Sequence, residues 1–403
     1  MAVKEGKASK TALAALFFVH AMPLGMWFVP LSNVLKTHDL GDIVPWVMAC
    51  SGVSAFISPL IVGGLADQRL PPALLLRWLA AGTAVMVTLT ATAIDFNWGR
   101  GAVLLFAQAQ SLLSSPTWGL STVIVLASLR NPSREFGPLR AWATAGWMAS
   151  GLIVSFVLHA DTTTMAAHCA AGFWLLLAVL TFVVPNEAPA DQRSERSWWE
   201  ILGLDALTLL KHRDHRVVFL TAGLYCIPLA AFYPYAAMHL RDLGVENISA
   251  VMSLGQITEV LVMLVLAGLL ARVRLKGVFL AGIAFGVLRY MCFAHNGKAW
   301  VITGVVLHGL AFTLYFITVQ IYLEERIDPK LRSRAQALLT LLMGGVGNLA
   351  GFLGSGLWFA HSQEGGKTDW PFFWWGLTAV TMAVFVWFAL AYRGRKEGHH
   401  GHL

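Results

Sequence analysis

Residues 248–273 read ISAVMSLGQITEVLVMLVLAGLLARV, an apolar run with one carboxylate, Glu259, near its middle. The run is long enough to cross a hydrocarbon layer about 30 Å thick. An unpaired ionised side chain at the centre of such a layer costs roughly 2.5–3.5 kcal/mol on insertion scales. The chain tolerates it only where Glu259 faces a polar cavity, meets a partner or carries a proton. Arg289 and His308, in the next two apolar runs, are the candidate partners. Gln256 precedes Glu259 by three residues, so the two share a helical face. That face is expected to turn from lipid toward a cavity.

The rest of the chain repeats the pattern. Of its 403 residues 57% are apolar and 13% charged, with a mean hydropathy of +0.64. A soluble domain carries about a quarter charged residues. Apolar runs occupy 11–35, 43–66, 73–95, 102–128, 138–159, 166–185, 216–240, 248–273, 277–295, 299–323, 333–360 and 371–392. The expected fold is an all-α membrane protein of twelve transmembrane helices. The first run has no cleavage site after it and reads as a retained helix, not a signal peptide.

Lys and Arg fix the expected orientation. With both termini in the cytoplasm, only Lys36, Arg100, Arg241, Lys298 and Lys367 of the 29 basic residues fall outside, and Arg289 stays in the membrane. The net charge of +7 then reflects a basic inner face against anionic lipid and calls for no nucleic-acid partner. Cys50, Cys169, Cys226 and Cys292 form no C-x-x-C pair, so neither a disulfide framework nor a zinc site is indicated. His399, His400 and His402 read as a solvated tail, and no metal or cofactor is expected. G-x-x-x-x-G-K-[ST], H-E-x-x-H and G-x-S-x-G are all missing, which argues against an ATP-driven pump and an intramembrane enzyme.

The longest polar stretch, 186–215, divides the runs six and six. The expected units are an N-terminal half (1–185), a cytoplasmic linker (186–215) and a C-terminal half (216–403). Within the linker, Trp198–Leu210 is expected to form an amphipathic helix on the inner membrane surface. Two six-helix halves joined this way is the major facilitator arrangement, with its site between the halves near mid-membrane. Gly63-Gly64-Leu65-Ala66-Asp67-Gln68-Arg69 fits that reading, with Gly63, Asp67 and Arg69 resembling the G-x-L-x-D-R loop of such transporters. Alone it is also a polar turn with a capping Asp.

Two further faces carry polar and aromatic groups. Arg140, Thr144 and Trp147 follow i, i+4, i+7, as do His308, Phe312 and Tyr315. Guanidinium, hydroxyl, imidazole and flat rings suit a planar polar molecule. The alternatives stay open: Arg140 as an inner-face anchor, Trp147 as packing, His308 as a helix-to-helix hydrogen bond. Pro116-Thr117-Trp118 breaks the fourth run and is expected to add Gln108, Gln110 or Thr117 to the cavity.

These pieces carry a resemblance. Pro138–Trp147, Leu202-Gly203-Leu204-Asp205-Ala206, Ser253–Glu259, Leu288-Arg289-Tyr290 and Thr368-Asp369-Trp370 run in the order found in the bacterial nucleoside:proton symporters of the major facilitator superfamily. Glu135–Trp147 is also similar to lactose permeases. The resemblance implies proton-coupled import of nucleosides, with substrate contacts from Arg140, Thr144, Trp147, Gln256, Glu259 and Phe312. The chain departs from the family where a base-holding Gln and Asn become Ala230 and Tyr233. His308 stands for a Tyr, and Thr313 for an Asp. Tyr233 and His308 therefore belong to the expected site, and a glycoside or other small polar solute is the alternative substrate. A ligand sensor that moves nothing is the alternative of another class. Glu259, with Arg289 and His308, is expected to couple the proton; alternatively Glu259 and Arg289 form an ion pair that fixes packing. The expected setting is the bacterial inner membrane, and the expected state a monomer.

Overall fold

A computed structural model describes residues 9–66, 70–185, 197–329 and 331–394. Its rods, with kinks counted within a rod, are α1 (Lys10–Thr37), α2 (Val44–Ala66), α3 (Pro72–Asp95), α4 (Arg100–Ser128), α5 (Pro132–Leu152) and α6 (Met165–Leu180). They continue as α7 (Arg213–Asp242), α8 (Ile248–Arg272), α9 (Leu275–Ala294), α10 (Lys298–Arg326), α11 (Arg332–His361) and α12 (Trp370–Ala391). Ten helices among the described residues are long and apolar enough to cross a membrane. The other two are α6, apolar but only 16 residues long, and α5, which is long but diluted by Glu135, Arg140, Thr144 and three glycines. A two-stranded hairpin, Gln363–Glu364 with Lys367–Thr368, joins α11 to α12. Gly365 and Gly366 both take positive φ there, as a tight primed turn requires.

Prolines and π-turns shape the rods. Pro30 interrupts α1, Pro116 interrupts α4, and α7 breaks after Pro228 at Ala231. Each proline removes a backbone donor and crowds the preceding turn. Wider π-turns follow α5 at Ile153–Val157, lie within α10 at Thr313–Ile317, and lie within α11 at Leu341–Gly347. A π-turn inserts residues into the 3.6-residue repeat and rotates the faces beyond it.

The buried apolar residues gather in separate clusters. One draws on residues 13–184 together with Ala230 and Phe352. The others draw on residues 206–392 together with Val29. Hydrogen bonds and an ion pair between the two sets gather at one end of the bundle. There Ser32 Oγ donates to the Pro234 carbonyl (2.9 Å), and Asn33 Nδ2 to that of Ala237 (3.1 Å). Lys36 pairs with Asp242 (2.9 Å), and Arg241 donates to Thr37 Oγ1 (2.8 Å). Asp161 receives the Ser249 amide at 2.7 Å and Ser155 Oγ at 2.8 Å, which caps the start of α8.

The linker departs from expectation. Trp198–Leu210 is not one amphipathic helix. A single turn, Trp198–Ile201, is followed by Gly203 in the left-handed region (φ 69°) and a 3-10 segment, Leu204–Lys211. Two contacts force the break. A Cβ at Gly203 would meet the Arg334 carbonyl and Leu338 amide of α11. Arg334 also binds Asp205 (2.7 Å) and Glu200 (3.6 Å), drawing the segment onto the helix end. Trp198 and Trp199 stack on each other with centroids 4.0 Å apart and stay exposed. In the G-x-L-x-D-R-like loop, Gly63 falls in the last turns of α2; Asp67 and Arg69 lie outside the described residues.

Candidate functional site

Near the middle of the bundle a cavity of ≈310 Å³ lies between the two sets of helices. Its walls are Ala21 and Leu24 of α1, Trp118 of α4, Arg140, Ala143, Thr144 and Trp147 of α5, Leu229 and Tyr233 of α7, Gln256 and Glu259 of α8, and His308 and Phe312 of α10. The structure therefore brings together Arg140, Thr144, Trp147, Tyr233, Gln256, Glu259, His308 and Phe312. Arg289 lies outside this lining, behind His308.

Close packing of α8 on α10 sets the carboxylate wall. A Cβ at Gly309 would meet the Glu259 amide and Thr258 Oγ1, so only glycine permits this approach. Thr258 Oγ1 donates to the Val306 carbonyl at 2.6 Å and locks the register. Glu259 is half-buried on the cavity face, and its carboxylate takes part in no ion pair among the described residues. Gln256 donates from Nε2 to Tyr233 Oη at 3.2 Å, while its Oε1, also buried, has no partner among the described residues.

The opposite wall is cationic. The Arg140 guanidinium lies over the Trp118 ring, 4.5 Å from its centroid. Trp118 is backed by His20 at 5.0 Å. His20 in turn binds Thr117 Oγ1 (3.0 Å) and Ser121 Oγ (2.8 Å), tying α1 to α4 behind the ring. Arg140 and Glu259 are close enough for their charges to interact. Aromatic rings complete the enclosure: Tyr233 meets Trp147 (6.0 Å) and Phe28 (5.3 Å) edge-on or tilted, and Phe312 lies 5.8 Å from His308.

Several sequence expectations change here. Glu259 and Arg289 are not paired; Glu259 faces Arg140, whereas Arg289 Nη1 donates to His308 Nδ1 at 2.8 Å. Tyr315 does not continue the His308 and Phe312 face. The π-turn at Thr313–Ile317 rotates it into the core, where its hydroxyl donates to the Val218 carbonyl at 3.2 Å. Thr313, at the start of that turn, reaches only the Glu259 backbone carbonyl, at 3.4 Å. Of the fourth-run candidates none lines the cavity. Thr117 holds His20, Gln108 donates to Ser54 Oγ (3.0 Å), and Gln110 borders a separate void of ≈160 Å³. Their neighbour Trp118 takes the place expected of them, and its one signal in the sequence is its position just after Pro116. Ala230, which stands where the resemblance has a base-holding Gln, is buried against Gly351.

A carboxylate and a guanidinium facing each other in an aromatic cavity offer the chemistry that a polar ring compound can use, with a titratable group at hand. The profile described as "Nucleoside H+ symporter" matches residues 8–397. Among curated proteins, the putative nucleoside transporter YegT of Escherichia coli (strain K12) is 30% identical over 400 residues, covering 94% of this chain and 93% of that one. Nucleoside permease NupG of the same organism is 25% identical over 392 residues, covering 91% of each. A crystal structure of a mutant of nucleoside transporter NupG shares the fold, with a TM-score of 0.87, 24% identity and coverage of 95% of this chain and 100% of that one. This chain belongs to the nucleoside H+ symporter family.

Proposed function

We propose that the protein imports nucleosides together with protons across the bacterial inner membrane, by alternating access to the cavity between its two helix sets. The observation that carries this reading is Glu259 facing Arg140 across one aromatic-walled cavity. At ≈310 Å³ its size falls at the lower end of the roughly 300–1,000 Å³ usual for small-molecule sites. Twelve membrane helices in two six-helix halves, 1–185 and 216–403, agree with the separate apolar clusters on either side of the linker. The basic-residue asymmetry supports cytoplasmic termini, which makes the end tied by Asp161, Asn33 and Lys36 the outer one. The cavity then takes its access from the cytoplasm in this conformation. Because one chain supplies every wall of the cavity, the transport unit is read as a monomer in the bilayer.

In this mechanism Arg140, Thr144 and Gln256 hold the sugar and base by hydrogen bonds, while Trp147, Phe312 and Tyr233 enclose the rings. Glu259 binds substrate and carries the coupled proton, and each proton entering contributes about 2.3 kcal/mol per 100 mV. A nearby cation favours the carboxylate form, so a change in the separation of Arg140 and Glu259 as the halves rock loads and releases the proton. The test is uptake of labelled nucleosides into vesicles driven by a pH gradient. Glu259→Gln is expected to bind nucleoside normally yet lose accumulation against a gradient. Unchanged pH-driven accumulation in that variant refutes the coupling role.

A further inference from the structure

Arg289 brings a guanidinium into the bundle where, among the described residues, no carboxylate meets it. It is fully buried in α9, between the rings of Phe232 and Tyr290, whose centroids lie 4.9 and 4.4 Å from its central carbon. Nη2 donates to Tyr290 Oη at 2.6 Å, and that hydroxyl donates onward to the Pro228 carbonyl at 2.6 Å. This carbonyl sits at the break in α7. Nη1 donates to His308 Nδ1 at 2.8 Å. These partners are neutral acceptors held at fixed positions, which is the arrangement of a group that orients others.

The bond to His308 has a chemical consequence. A guanidinium has only donors to offer, so His308 Nδ1 must accept and carries no proton. In the neutral ring the proton then sits on Nε2. Phe232 stacks on the imidazole at 4.2 Å and 7°, which fixes the ring plane. Tyr233 meets the same ring edge-on at 5.7 Å. Nε2 has no protein partner among the described residues, and His308 lines the cavity. On the same wall lies the partnerless Gln256 Oε1.

We propose that Arg289 is a positioning residue that acts through His308, holding the imidazole as an Nε2–H donor toward the cavity so that the site selects nucleosides whose base presents a carbonyl acceptor. Gln256 Oε1 supplies the neighbouring acceptor for the ring N–H beside that carbonyl. The specificity half of this inference rests on the nucleoside reading above. The tautomer half does not.

Two measurements separate the halves. Nitrogen-15 NMR of histidine-labelled protein at neutral pH, with the His308 signals assigned by their loss in His308→Gln, reports the ring directly. A protonated Nε2 with a bare Nδ1 is the expected result; the opposite tautomer overturns the role of Arg289. This measurement uses the wild-type protein and does not depend on any variant of Arg289 folding. The second compares binding of inosine with purine riboside, which lacks both the exocyclic carbonyl and the ring N–H beside it. Wild type is expected to favour inosine by about thirtyfold, the effect of two hydrogen bonds. His308→Phe is expected to cut that preference to about fivefold, the share that Gln256 supplies, and His308→Gln, whose amide keeps an N–H donor, to restore it. A preference undiminished in His308→Phe overturns the specificity claim. Binding of neither compound, nor of uridine, in any variant, overturns the nucleoside reading and leaves the tautomer result standing by itself.

Discussion

Single side chains in this protein act in stacked pairs, and Arg140 with Trp118 is the clearest. A cation over an indole is stabilised by about 0.5–2 kcal/mol, the larger values where water is excluded. Trp118→Leu removes that platform and lets the guanidinium wander. Nucleoside binding measured by calorimetry is expected to weaken by roughly three- to tenfold, about 1 kcal/mol, with little change in expression. Unaltered affinity would mean that Arg140 is held by something other than the ring. The faces that carry Arg140, Thr144 and Trp147, and Gln256 and Glu259, were legible because helical spacing alone puts these residues side by side. Trp118 was not, since its contact with Arg140 joins α4 to α5 and leaves no trace in the spacing of either. Arg289 was visible as an anomalous charge, but its partner was not: the sequence offers Glu259 and His308 equally, and only packing chooses.

Elements add what spacing cannot foresee. The π-turn in α10 separates Phe312, on the cavity, from Tyr315, in the core, although an unbroken helix would set Tyr315 on the face of His308. Helical periodicity holds only while the hydrogen-bond pattern does, and nothing in Thr313–Ile317 announces the change. The linker shows the same limit. Its apolar spacing suggests one helix, yet a positive φ at Gly203 and the pull of Arg334 on Asp205 divide it. Gly203→Ala places a Cβ against the Arg334 carbonyl in a conformation that costs a side chain about 1 kcal/mol or more. The expected result is a lower melting temperature of the purified protein, with nucleoside affinity preserved, since neither the linker nor α11 lines the cavity. An unshifted melt would show that the linker contributes nothing to the stability of the α11 end.

For the molecule as a whole, the polar contacts between the two helix sets crowd one end, and Asp161 is the more enclosed of the two carboxylates among them. Its bond to the Ser155 hydroxyl stays within one set, whereas its bond to the Ser249 amide crosses to the other, and a buried crossing bond of this kind contributes about 1–3 kcal/mol. Asp161→Ala is expected to shift the equilibrium toward the state open at that end by about tenfold or more. Spin labels at Asn97 and Lys298, both exposed at this end, should report a longer distance in the variant; an identical distribution would exclude Asp161 as a latch. The overall helical architecture was readable from composition and run length, because a bilayer leaves the backbone few options. Which conformation the chain adopts was not, for it depends on a few contacts between residues far apart in sequence.

The separation of the buried clusters has a consequence for how the protein is made. One cluster can be completed almost entirely from residues 13–184 before the residues of the others have left the ribosome. Each portion thus has its own nucleus for assembly, and misfolding in one need not spread to the other. Two fragments divided within 186–196 and synthesised together should find each other in the membrane and regain uptake, whereas a division inside either cluster should yield fragments that are degraded.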